Sequence, residues 1–495
     1  MFVLSSGALL GESVELPLRT AIASALEHNL GLRIAAYQPA NALDSVEIEE
    51  AQFDPSLFGN VSLQERQSAA ISGTQDTRVA ESENRRAGAG VEKRFATGAT
   101  ATVDSSINRN ASNSGSFNPS ARNPDSSADV GISIRQPLLK DGWSTVNLAP
   151  LARAKVNAER SLFELRSDVL DLVLSTEIAY WNLAYTRADR ALTASSLELA
   201  ANLLEENIER ERLGMVTPLE VLQAEAEVLN QQEAIIQAER AIEDAEDALR
   251  RAMGQTNFIE IIIDRIKVAV LPVAIEPLRP MNAVVLDTVR SDVDAQAQER
   301  RIEVERINRI LAQDETRPDL DLTAGVTYLG RDQDGETAYR GAYRADGYDW
   351  NVGIEVRMPW GFREARARAR IAERNLEQAT LQLYDIKQEK ALAARNAWRS
   401  ANTGLKRIEV TRASLALNEE AFEQERARFG SGLVPFRSVL EAQRDLDRAK
   451  GNNLQAIIET LRASVRLSRV DGTLLTRNGL DWDAVAPYTQ SPDLP

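Results

Sequence analysis

The sequence predicts a mainly α-helical protein that also carries membrane β-strands and is built as two structural repeats. Three observations lead there. Helix-rich runs place apolar residues every third and fourth position, short segments alternate apolar with polar residues, and landmarks return about 218 positions downstream. Over 495 residues, 27% are charged and glycine and proline are modest, as in chains dominated by long helices. A formal net charge of -16 argues against a nucleic-acid surface, which needs cationic side chains to neutralise phosphates. With no cysteine there is no disulfide framework, no thiolate metal site and no cysteine for a lipid anchor.

Residues 1–15 read as an N-terminal tail or a signal remnant; the apolar run "MFVLSSGALL" lacks the basic flank of a secretory signal. The first repeat covers 16–254: helices, strands near 56–66 and 128–137, a long helix 144–213, a turn 214–217 and a helix 218–253. A linker, 255–280, follows. Its apolar window from Phe258 to Ile275 is broken by Glu260, Asp264, Arg265 and Lys267, so no transmembrane helix is expected. The second repeat covers 281–472: strands near 319–329 and 347–358, a long helix 363–429, a turn 430–434 and a helix 435–471. Residues 473–495 form a C-terminal tail. The duplication rests on Val221-Leu222 with Val439-Leu440, Ala224 with Ala442 and Gly254 with Gly472, each 218 apart. Upstream, Trp181 and Trp398 are 217 apart, and Gly214 and Gly430 are 216 apart.

The helices carry coiled-coil seams. Leu162, Leu165, Val169, Leu172, Thr176, Ala179 and Leu183 alternate at three and four, while Val221, Val228, Ile235, Ile242 and Leu249 recur every seventh residue. Small companions at Ala224, Ala238, Ala245 and Ala252 let a neighbouring helix approach closely. At 1.5 Å per residue, the helix from Ser144 to Leu213 spans roughly 100 Å, more than a globular domain needs.

The strands alternate. Leu320, Leu322, Ala324, Val326 and Tyr328 share one face against Asp319, Asp321, Thr323 and Thr327; Tyr348, Trp350, Val352, Ile354, Val356 and Met358 stand against Asp349, Asn351, Gly353, Glu355 and Arg357. Val130, Ile132 and Ile134 play the same part in the first repeat. Such strands fit lipid on one side and water on the other, and they also fit a half-buried soluble sheet. Four strands per chain cannot close a barrel, and an open ribbon cannot stand in lipid, so a membrane reading requires several chains to share one barrel. The Ser- and Asn-rich segment 104–129 is expected to be a long outer loop, with an extra hairpin over Val91 to Val103 around Thr97-Gly98. A soluble or periplasmic coiled-coil scaffold without channel activity is the alternative; it explains the heptads but not the amphipathic strands.

The order of these segments, together with "WNLAYTRADRALTASSLELAANLLEENIERERLG" and "AFEQERARFGSGLVPFRSVLEAQRDL", resembles the TolC-like outer-membrane efflux proteins. "QPLLKDGW" (136–143) and "MPWGFREARARARIAERNLEQA" (358–379) resemble that family's strand-to-helix junctions. The resemblance runs from about Leu16 to Gly472. It implies a homotrimer in which a 12-stranded antiparallel β-barrel in the outer membrane continues into a long α-helical coiled-coil barrel in the periplasm. The implied function is the passive exit duct of a tripartite efflux pump or type I secretion system. Its implied partners are a periplasmic adaptor (membrane fusion) protein, an inner-membrane transporter and outer-membrane lipid.

Candidate sites follow. Gly214 and Gly430 suit helix stops, Pro218 and Pro435 suit first helical positions, and Thr217 with Glu220 fits a capping box. By resemblance, the hairpin tips that meet the adaptor are Arg212, Leu213 and Gly214 in the first copy and Arg428, Phe429 and Gly430 in the second. The implied gate is Ser438 and Glu441, with Glu220 and Gln223 as first-copy equivalents; only Glu441 keeps the family's acid, and it also reads as a solvated partner of Arg437 or Arg444. The lipid-facing set is Leu320, Leu322, Val326, Tyr328, Tyr348, Trp350, Val352, Ile354 and Val356. The single histidine, His28, sits in a helix pattern, so no catalytic residue, metal site or cofactor is expected and an enzyme is a poor reading. Drugs, metal ions, polysaccharide and secreted proteins all remain open as cargo.

Overall fold

The computed structural model describes residues 15–69, 79–112, 123–254, 266–271 and 277–485. The expected N-terminal tail up to residue 14, much of the 255–280 linker and the C-terminal tail beyond 485 lie outside the described residues. In chain order the elements are β1 (Glu15–Leu16), α1 (Leu18–His28), α2 (Leu30–Ala51), β2 (Ser56–Ala69), β3 (Val79–Arg94), β4 (Thr100–Ser112) and β5 (Asn123–Pro137). Then come α3 (Ser144–Asn147), α4 (Ala149–Arg212), α5 (Pro218–Ala252), β6 (Lys267–Val268), α6 (Met281–Ser291), α7 (Val293–Asp314) and β7 (Asp319–Asp332). The chain ends with α8 (Gly335–Tyr343), β8 (Gly347–Arg357), α9 (Arg363–Gly430), α10 (Phe436–Val470), α11 (Leu474–Arg477) and α12 (Trp482–Val485).

Two compact units emerge. One, Asn41–Arg160 with Glu299–Leu381, holds a six-stranded sheet in the order β2-β3-β4-β5-β7-β8. Every neighbouring pair is antiparallel. Helix α8 lies against this sheet, with Ala338 and Ala342 packed on Ala128.

The other unit, Met1–Ala40 with Ser161–Gln298 and Gln382–Pro495, is helical. Its largest core gathers Ile22 and Leu26 of α1 with Leu165, Val169 and Val173 of α4 and Val465 of α10. Leu165 and Val169 are residues that the three-and-four spacing assigns to the seam; Val173 is not among them, and Leu162, which is, lies exposed. The short strands β1 and β6 pair in parallel. Tyr180 locks that pair: its buried hydroxyl donates to the Leu16 carbonyl at 2.8 Å and accepts from the Ala269 N–H at 2.9 Å. A buried phenol must find such partners, and here they tie two distant segments to α4.

Several sequence expectations need correction. The sheet of one chain has six strands, not the expected four. The segment 104–129 is not one loop: β4 runs to Ser112 and β5 starts at Asn123. The expected hairpin near Thr97-Gly98 is two full strands, β3 and β4, of 16 and 13 residues. Their alternation is easily missed because Ala87, Gly88, Ala89 and Gly90 carry little polarity contrast. The long helix expected at 144–213 begins with the separate turn α3, and α8 occupies the connection between the second-repeat strands. Pro435 is the N-cap of α10 rather than its first helical residue. Gly430 is the last residue of α9, and it is Gly432 that takes a positive φ, +71°.

Candidate functional site

Directly opposed residues of antiparallel neighbours point to the same face. One row across the sheet therefore reads Leu57, Val91, Val103, Ile132, Val326 and Trp350. The adjacent row on the other face reads Ser56, Glu92, Thr102, Ser133, Gly325 and Asn351. In these two rows one side is apolar and the other polar across all six strands, whereas farther along the apolar side Leu63 is followed by Arg85, Arg109 and Ser126.

The apolar side is open within the chain except where α8 covers Ile107, Ala128 and Val130. Trp350 is 66% exposed, and Tyr348, Val352, Ile354 and Val356 on β8 are exposed as well. Of the residues assigned to that face from sequence, Leu322 and Tyr328 are also exposed, whereas Leu320 and Val326 are half-buried. Among the described residues no strand pairs with the outer side of β2 or of β8.

Aromatic residues mark both ends of this face. Trp143 and Trp360 stand exposed at the two strand-to-helix junctions. At the opposite end Tyr348 is joined by Tyr339 and Tyr343 of α8, also exposed. An apolar band between two aromatic levels is the pattern of a wall in lipid.

The helical hairpins are closed by the same backbone device twice. Gly214 has φ +76° and Gly432 +71°, and each ends its helix in the left-handed conformation that glycine enters without cost. The Met215 N–H donates to the Arg210 carbonyl at 2.9 Å, and the Leu433 N–H to the Arg428 carbonyl at 3.0 Å. The equivalent positions are 218 apart, so Gly432, not Gly430, is the counterpart of Gly214.

The proposed docking residues divide. Arg212 and Leu213 are exposed, Leu213 at 67%, and Gly214 has open space around it. Arg428 is exposed and pairs with Glu425. Phe429, by contrast, is 4% exposed. It packs on Phe436 with ring centroids 5.5 Å apart and lies beneath the Arg210 guanidinium, 4.4 Å from the ring centroid. At the same tip Leu433 is exposed.

The gate residues are also spread over different environments. Glu220 caps α5, accepting the Thr217 N–H at 2.8 Å and its hydroxyl at 3.2 Å. Gln223 and Ser438 are half-buried. Glu441 is exposed and pairs with Arg437 at 2.9 Å.

A buried polar contact beside these residues escaped the sequence reading. Glu227 of α5 takes two hydrogen bonds from Arg444 of α10, at 2.8 and 3.2 Å. Burial pushes the Glu227 carboxyl up, but the bonds from Arg444 and Gln231 outweigh it and hold the group below the ordinary glutamate value. Nearby Asp447 accepts the Ser196 hydroxyl at 2.6 Å, and burial raises its carboxyl above the ordinary value. The available signal was a charged residue on the small-residue stripe of α5, three positions after Ala224. Among the described residues no group of three or more potential ligands could hold a metal ion, and no helix is long and apolar enough to cross a membrane.

Comparison with solved structures gives the same fold at low identity. The Campylobacter jejuni CmeC outer membrane channel aligns over 96% of this chain and 90% of its own, with 16% identity and a TM-score of 0.71. The outer membrane protein VceC of Vibrio cholerae aligns over 92% of this chain and 96% of its own, with 17% identity and a TM-score of 0.67. The open-state MtrE outer membrane channel of Neisseria gonorrhoeae aligns over 92% and 89%, with 18% identity and a TM-score of 0.65. Comparison with curated proteins gives no match. The model of the outer membrane efflux protein family matches residues 21–255 and 289–473, most of both repeats, and the chain accordingly belongs to that family.

Proposed function

We propose that three copies of this chain form a passive exit duct, with the sheets closing into a shared barrel in the outer membrane and the helical hairpins forming a tunnel in the periplasm. The observation that carries this reading is the exposed apolar face bounded by two edge strands, β2 and β8. Neither edge has a strand partner among the described residues, and lipid offers none, so neighbouring copies must supply them. The exposed apolar row Leu219, Leu222, Leu229 and Ile236 on α5 adds a second surface for a neighbouring protomer.

The duct is fed by an inner-membrane transporter through a periplasmic adaptor, as part of an efflux pump or a type I secretion system. The adaptor meets the exposed tip around Arg212, Leu213, Gly214 and Arg428. Three Glu441 carboxylates ring the axis at the constriction, released from Arg437 or shared with it. Clustered acids attract cations.

Native mass spectrometry in detergent is expected to give three protomer masses; a folded, membrane-inserted monomer rejects the reading. Val352→Arg on the apolar face is expected to cost roughly 2–4 kcal/mol of insertion, and Asn351→Arg on the polar face much less. In planar bilayers, divalent cations added on the tip side block the residual current, and Glu441→Gln weakens the block. An unchanged block removes Glu441 from the gate.

A further inference from the structure

We infer that the trimer closes at eighteen strands rather than twelve, giving a porin-wide exit in which the outer-membrane segment does not select cargo by size. This rests on the trimeric exit duct proposed above. It turns on whether β3 and β4 belong to the wall or hang from it, and three observations place them in it.

The first is pairing. Strand β2 does not touch β5; β3 and β4 stand between them and are registered along their length with both. Removing them from the wall would break two complete ladders and require a new one.

The second is continuity of face. Val91 and Val103 extend the apolar row from Leu57 to Ile132 without a break, and Glu92 and Thr102 extend the polar row beside it. An accessory hairpin in water has no need of an apolar side in register with its neighbours. A hairpin folded into the lumen would bury that side against the polar face of the wall.

The third is anchorage at the turn. Thr97 offers its carbonyl to the Trp143 N–H and to the Gln136 side-chain amide, both at 3.0 Å. Arg94 donates to Asn147 at 2.7 Å, and the buried Asn147 amide donates to the Asp141 and Trp143 carbonyls. Gly98, at φ +84°, fits where a Cβ would meet the Asp141 carbonyl oxygen at 2.5 Å. The turn is thus built into the strand-to-helix junction that resumes the chain after β5.

The closure geometry then follows. Six alternating strands leave β2 and β8 running in opposite directions, so β8 of one copy meets β2 of the next in antiparallel order. Barrel diameter grows roughly linearly with strand number, which makes an eighteen-stranded wall about half again as wide as a twelve-stranded one and its cross-section roughly twice as large. Barrels of 16–18 strands leave an aqueous channel. Toward the lumen the added strands contribute the small residues Gly88, Gly90, Thr102 and Ser106 together with the polar side chains Arg86, Glu92, Asp104 and Asn108, a hydrophilic lining rather than an apolar plug. Hydrated cargo that passes the hairpin tips meets no narrower point in the membrane, so size selection falls to the tips.

Electron cryomicroscopy of the full-length trimer in lipid nanodiscs is expected to count eighteen strands in one wall. A twelve-stranded wall with residues 79–112 inside or outside it overturns the inference while leaving the exit duct intact; a monomer overturns the duct itself. Disulfide trapping in outer membranes gives an independent reading, free of background because the chain has no cysteine. Val61→Cys with Ala87→Cys, opposed in the ladder, is expected to cross-link within a protomer. Cross-linking of Val61→Cys to Val130→Cys or Ile132→Cys instead would join β2 directly to β5 and expel the hairpin from the wall.

Discussion

The two hairpin tips use the same turn, yet equivalent positions after it have opposite fates. In the first copy Leu222 is 60% exposed, whereas its counterpart Leu440 in the second is 7% exposed. The second tip encloses Phe429, Phe436, Val439 and Leu440 in a core that also takes in Leu203 and Ala224 from the first hairpin. The first tip instead leaves Leu213, Met215 and Leu219 in the open and stiffens its start with the Thr217–Glu220 box. The second has no side-chain cap, because Pro435 occupies that position. The two hairpins share the bend and differ around it: the second contributes most of a common core, and the first presents more apolar surface.

The largest expected effect tests that difference. Leu440→Ala removes a well-packed side chain and is expected to cost about 2–5 kcal/mol, with faster hydrogen exchange across 436–446. Leu222→Ala is expected to leave its own hairpin within about 0.5 kcal/mol and to lower trimer yield instead. Equal local effects at the two positions would break the comparison.

Next in size is the contact that joins the copies. Arg444→Ala leaves the Glu227 carboxylate buried without its main partner, at a cost of about 1–3 kcal/mol at neutral pH. The pH dependence should also change sign. In the native protein Glu227 is held below its ordinary value, so its contribution is present above that value and is lost as pH falls through the lowered one. With Arg444 gone, burial dominates and raises the carboxyl, so the variant gains stability as pH falls through the raised value. Exchange protection of 224–231, measured from neutral pH to about pH 3, should fall in the native protein and rise in the variant. Parallel profiles would show that Arg444 does not set the Glu227 charge.

The smallest effect concerns the caps. Thr217→Ala is expected to cost about 1 kcal/mol and to fray the first turn of α5, visible as faster exchange at 218–222. Moving the box to the second tip by Pro435→Thr with Ser438→Glu is expected to gain up to about 1 kcal/mol at α10. If the double variant fails to slow exchange at 436–440, the tips differ by more than their caps.

What the sequence discloses follows from where its physical contrast lies. Heptads and the strict alternation of β7 and β8 are strong signals because Leu, Ile, Val and Trp face Asp, Asn and Glu. Strands β3 and β4 are faint because the run Ala87 to Gly90 carries little polarity contrast and β4 consists mostly of Thr, Ser and Asn, leaving Thr97-Gly98 as the visible mark of their turn. At the second tip, "RFGSGL" holds two glycines two apart, and only backbone geometry decides that Gly432 bends while Gly430 stays helical. The same ambiguity makes Phe429 look like a surface residue, whereas packing across copies buries it. Glu227 with Arg444 is a contact between residues 217 positions apart, which no local pattern announces.

The added hairpin also sets a rule of parity. An insertion of one strand would leave a copy's two edges running the same way, and identical copies could no longer join in antiparallel order. Two strands restore the match. In the proposed trimer the wall can therefore widen only in steps of six strands, and the β3–β4 hairpin would be one such step. Pore width in an assembly of this kind is quantised by the gene, one hairpin at a time, rather than tuned residue by residue.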